Sequence, residues 1–108
     1  MGHNSKFFGV AEGDTLSFEK TSSSLDIVVK KIELQNPSKV EIDYFMKGTF
    51  DDEDCARHGS LVISERSQYL VQGVQLRVFG SYSKGKVKLR ATVSGNYSMS
   101  HKKATKSS

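Results

Sequence analysis

Apolar and polar residues alternate one by one through most of this chain, and the three-to-four residue spacing of an amphipathic helix is scarce. Val40, Ile42, Tyr44 and Met46 alternate with Glu41, Asp43, Phe45 and Lys47, the pattern of a strand with one face in a core. Leu25, Ile27 and Val29 share a face, whereas Ile32 and Leu34 fall on the other; a bulge at Lys30-Lys31 would return all five to one side. Val74, Leu76 and Val78 alternate with Gln75, Arg77 and Phe79, and Val87, Leu89, Ala91 and Val93 alternate with Lys86, Lys88, Arg90 and Thr92. Residues 80–85 would join these two strands as a hairpin loop. Residues 7–10 and 15–20 flank Glu12-Gly13-Asp14, whose glycine and short polar side chains suit a hairpin turn. Residues 61–64 and 68–73 add shorter strands, with a turn or two of helix as the alternative over 64–71.

Two segments depart from the alternation. Asp51 is placed to cap a short helix, with Asp52, Glu53 and Asp54 at its positive end, Arg57 and His58 at its C-terminus and Gly59 as the left-handed stop. From Gly95 onward, Ser, Lys and His replace the apolar positions, which predicts a tail. The expected architecture is all-β, a small antiparallel β-sandwich or jelly-roll-like barrel with one short helix near residues 52–58. Its organisation is a flexible N-terminus over 1–5, one β domain over 6–94 and a basic, flexible C-terminal tail over 95–108.

A chain of 108 residues, 36% hydrophobic and 26% charged, has material for one core. Its single cysteine, Cys55, can close no internal disulfide, so the expected compartment is the cytoplasm. No apolar run has the length of a signal-peptide core or a membrane span, and no membrane partner is expected. The opening Met1-Gly2-His3-Asn4-Ser5 resembles the start of many small alphaproteobacterial and phage-encoded proteins. That resemblance points to an origin and not to a family; for a phage-encoded chain the expected role is a phage or virion component and the expected location the host cytoplasm or the virion.

Charge is segregated along the chain. Residues 1–65 hold seven basic and twelve acidic side chains, whereas residues 66–108 hold nine basic and no acidic ones. On a strand, Lys84, Lys86, Lys88 and Arg90 would form one positive row with a spacing of roughly 7 Å. Pairing of the apolar faces is expected to set Arg77 opposite a basic residue, and like charges across a ladder cost up to roughly 1 kcal/mol. An anion would relieve that repulsion. Phe79 on the same face and Tyr82 in the loop supply rings on which bases stack, and Lys102, Lys103 and Lys106 extend the charge into the tail. The acidic counterpart is Asp51, Asp52, Glu53 and Asp54, whose four consecutive carboxylates lack the alternate spacing of a calcium loop.

Chemistry beyond binding finds little support. Cys55 and His58 would share a helical face at i, i+3, but no third ligand or base completes them, and no phosphate-binding, dinucleotide or metalloprotease motif occurs. The sequence therefore predicts a non-enzyme without cofactor, metal or small-molecule substrate. Its leading reading is an assembly module that self-associates, or docks on a larger protein assembly, through charge-complementary surfaces. A nucleic-acid-binding β-domain, OB-like, using the basic hairpin is the alternative. An inhibitor or adaptor for an acidic host protein is the third.

Overall fold

The computed structural model describes residues 3–36, 39–50, 53–64, 68–72 and 75–104. Among them the chain forms nine strands and no helix: β1 (His3–Val10), β2 (Thr15–Lys20), β3 (Ser23–Asn36), β4 (Lys39–Phe50), β5 (Glu53–Ile63), β6 (Gln68–Gln72), β7 (Leu76–Ser83), β8 (Lys86–Ser94) and β9 (Ser98–Lys102). They build two antiparallel sheets, one in the order β1-β8-β7-β6 and the other in the order β5-β4-β3-β2-β9. The alternation dictates the packing. Leu16, Phe18, Ile27, Val29 and Ile42 from the five-stranded sheet and Val78, Leu89, Ala91 and Val93 from the four-stranded sheet are fully buried in one shared core. Each of the larger side chains contributes about 1.5–3 kcal/mol by leaving water. In β3 the register shifts between Val29 and Lys31, and this bulge turns Ile32 toward the core side of Ile42.

The helix expected near residues 52–58 is replaced by strand over the described residues 53–58; from Glu53 the chain runs as β5, paired along its length with β4. A seven-residue helix is marginal by itself, and it would leave the edge of β4 without a backbone partner. The strand satisfies those groups and points Leu61 and Ile63 at the core. Gly59, expected as a helix stop, has another use. It lies opposite Tyr44, and a Cβ there would stand 2.3 Å from the ring carbon Cζ. The space admits the ring, whose hydroxyl donates to the Leu70 carbonyl at 2.6 Å and ties the two sheets together. Burial pushes the Tyr44 phenol above its ordinary pKa, keeping that donor protonated. Gly59→Ala is expected to destabilise the fold by about 1–3 kcal/mol through this overlap, read as a lower urea midpoint.

The hairpin near the C-terminus is tighter than its sequence predicts. β7 continues through Ser83, and the turn is Lys84-Gly85 alone, both residues left-handed with φ of 53° and 78°. Such a two-residue turn matches the twist of the strands it joins. It also changes the register: Arg77 faces Thr92, not a basic residue, and Phe79 faces Arg90.

The Glu12-Gly13-Asp14 turn likewise does not close a hairpin. β1 pairs with β8 and β2 with β3 and β9, so the turn carries the chain from one sheet to the other. Its backbone bonds to Val29, through Gly13 N to Val29 O at 2.7 Å and Val29 N to Asp14 O at 2.9 Å. The buried Asp14 carboxylate accepts from Ala11 N (3.0 Å), Ala104 N (2.9 Å) and His101 Nε2 (2.7 Å). The segment expected as a tail thus contains a strand, β9, anchored by buried Tyr97 and Met99 and by this carboxylate.

Candidate functional site

Burial of Val87, Leu89 and Ala91 turns Lys86, Lys88 and Arg90 to the outer face of the four-stranded sheet. Register then decides their neighbours. Phe7 of β1 and Phe79 of β7 sit directly on either side of Arg90, and Tyr69 of β6 lies beyond Phe79. These four side chains form one row across all four strands, about 14 Å long at the usual spacing of strands. The Arg90 guanidinium is 4.3 Å from the Phe79 ring centre and 5.9 Å from that of Phe7. The Tyr69 and Phe79 rings are 4.1 Å apart at 30° to one another. Phe7 is 71% exposed and Tyr69 37%, a large apolar surface left in water. Arg90 Nε is buried with no hydrogen-bond partner among the described residues, an unused donor in the middle of the row.

Basic side chains flank the row. On one side come Lys88, then Lys86, then Lys84 in the turn, and with Ser81 and Ser83 they line a shallow depression. On the other side Arg77 stands between Thr92 and Gln72. None of the four strands contains an acidic residue. Rings and a stacked guanidinium offer flat faces to bases, while ammonium groups and hydroxyls offer charge and hydrogen bonds to phosphates.

The structure gathers Arg77, Phe79, Lys86, Lys88 and Arg90 on one face, with Lys84 at its end. It removes Tyr82, which pairs with Val87 and packs against the core. It adds Phe7 and Tyr69. Phe7 is readable in principle, being out of phase with the buried Phe8 and half-buried Val10 of its own strand; the place of Tyr69 depends on 64–71 being strand and not helix, which the sequence leaves open, and on the register of β6 with β7. Lys102 lies on the outer side of β9 in the other sheet, and Lys103 lines an end cleft with Lys86 and Glu12. Lys106, Asp51 and Asp52 lie outside the described residues. Glu53 and Asp54 are exposed at the start of β5, where Asp54 Oδ1 accepts from the Thr49 hydroxyl at 3.1 Å. As strand residues, Cys55 and His58 face opposite sides. Among the described residues no three His, Cys, Asp or Glu side chains are placed to hold a metal ion.

The outer face of the five-stranded sheet has the opposite character. Alternation places Glu19, Asp26, Glu33, Glu41, Asp43 and Asp54 there, against Lys31, Lys39, Lys47 and Lys102. Glu33 and Glu41 are direct cross-strand neighbours. The Gln35 amide reaches both carboxylates, at 3.4 and 3.1 Å. The Ser60 hydroxyl lies 3.0 Å from Glu41 Oε2 and 2.7 Å from Asp43 Oδ1, with one proton to offer the two. Comparison with protein-family models, with curated proteins and with solved structures finds no match to this chain.

Proposed function

We propose that the chain is a non-enzymatic β-sandwich module that binds single-stranded nucleic acid on the outer face of its four-stranded sheet. The observation that carries this reading is the row Phe7–Arg90–Phe79–Tyr69, exposed at Phe7 and Tyr69 and half-buried at Arg90 and Phe79, bordered by Lys86, Lys88 and Arg77. Lysines alone would suit any anion. Solvated rings beside them favour a ligand that is both anionic and aromatic, and only unpaired bases can lie flat on a sheet. An acidic protein surface would neutralise the lysines equally well but leaves the exposed rings unexplained. Because the charge is mostly ammonium, which lacks the planar fork that reads base edges, binding is expected to tolerate any sequence.

The test is an anisotropy titration with a labelled oligothymidine and with a duplex of equal length. The single strand is expected to bind about tenfold or more tightly. If about four phosphates are neutralised, log K should fall with log salt at a slope of about −3. K86E/K88E should weaken binding and flatten that slope by about half. Equal affinity for single strand and duplex, or a slope untouched by K86E/K88E, excludes this face as the site.

A further inference from the structure

We infer that the two outer faces also fit each other, so that in the absence of nucleic acid one copy's basic sheet docks on the acidic sheet of the next and the protein forms an open stack. The partner is a second copy of this chain, and the argument is charge complementarity. Each face carries like charges that its own neighbours only partly relieve. On the basic face Lys86, Lys88 and Arg90 recur at every second position of β8 with no acid on any of the four strands. On the acidic face Glu33 opposes Glu41 directly, and Glu41 and Asp43 share one serine proton, with Lys31 reaching Glu33 at 3.1 Å as partial relief. Bringing the faces together removes both repulsions at once.

Geometry sets the form of the assembly. The molecule measures 41 × 34 × 20 Å, and two sheets packed face to face account for its short axis. The complementary patches therefore lie on opposite broad sides, not on one surface. A contact between different patches is head-to-tail, and one whose patches point in opposite directions does not close on itself. The stack grows in both directions without a preferred number of copies. This differs from the contact expected from the sequence, because the acids involved lie on β3 and β4 and not in the Asp51–Asp54 stretch. Competition with nucleic acid, unlike the stack itself, rests on the proposed function: both ligands need Lys86, Lys88 and Arg90, so a bound single strand should cap the stack.

The experiment is light scattering with two complementary variants. Wild type at low salt should show a mass that rises with concentration and returns to the monomer near 1 M salt, where the screening length is about 3 Å. E41K/D43K reverses the acidic patch and K86E/K88E the basic one, so each alone should be monomeric. Mixed, they should associate, because each variant's native patch and its reversed patch both find a complement on the other variant. E41Q/D43N, which keeps the hydrogen-bonding shapes, should shift the wild-type association at least tenfold toward monomer, and circular dichroism checks that each variant is folded. A wild type that is monomeric at low salt, a single variant that still assembles, or a mixture that does not associate overturns the stack. An oligonucleotide separates the two proposals: if the stack forms and no single strand disperses it or binds E41K/D43K, the nucleic-acid reading falls and the stack stands. If wild type stays monomeric and binds the single strand, the reverse holds.

Discussion

F7A/F79A is expected to bind a single-stranded oligonucleotide about thirtyfold or more weakly than wild type, with the salt slope unchanged. Each base stacked on an aromatic side chain is worth about 1–3 kcal/mol, and the two rings on either side of Arg90 lie two strands apart, far enough to hold separate bases. The phosphate contacts of Lys86 and Lys88 remain, so the number of counterions released stays the same. Loss of affinity without loss of slope is the signature that distinguishes stacking from charge. Stability should fall by only about 1–2 kcal/mol, since cross-strand and cation–π pairs at exposed positions are each worth about 1 kcal/mol or less. Affinity within threefold of wild type, in a protein that melts normally, would remove the rings from the interface.

The largest stability effect is expected from Asp14→Ala, a loss of about 3 kcal/mol or more in urea denaturation. Asp14 is 4% exposed, and its truncation strands the amides of Ala11 and Ala104 and the His101 ring nitrogen at once. A buried donor left without an acceptor costs about 1–3 kcal/mol. The same carboxylate gives the fold a pH dependence. Burial acts to raise its pKa, but the hydrogen bonds from His101, Ala104 and Ala11, together with the charge of His101, outweigh this and hold it below the ordinary 3.8. A depressed acid contributes stability that is complete above its unfolded value and is lost as pH falls through the folded one. Wild type should therefore weaken below about pH 3.8, and D14N, less stable at neutral pH, should weaken less over that window. Parallel curves for the two proteins from pH 6 to pH 2.5 would show that Asp14 is not the group responsible.

Much of this architecture was legible because period-two alternation is a direct imprint of a half-buried strand. The alternation within β4, β8 and the first half of β7, and the bulge in β3, follow from it. What the sequence misplaced were the positions where tertiary pairing overrides a local signal. Asp51 to Gly59 carries real helix-end chemistry, but β4 needed an edge partner, and Tyr44 needed the space that Gly59 leaves. The C-terminal segment reads as a tail because Ser, Lys and His hide the alternation of Tyr97, Met99 and His101, whose inward His is satisfied by a carboxylate far away in sequence. Among the site residues, those on β8 were certain once its apolar positions were seen. Their aromatic neighbours depend on register, and register depended on whether the turn held six residues or two.

The pairing of β1 with β8 and of β2 with β9 also governs how the chain reaches this state. Asn4 bonds the carbonyl of Tyr97 across 93 residues of sequence, and Ser5 meets Thr92 across 87. As the polypeptide is synthesised, β1 emerges without a partner and stays so until β8 follows, while β2 keeps one open edge until β9 appears. Loops of that length are costly to close before any contact rewards them, which puts folding in the millisecond-to-second range of non-local β proteins. During that interval the apolar edges of β1 and β2 are open to other chains, and the risk of aggregation is greatest in nascent protein.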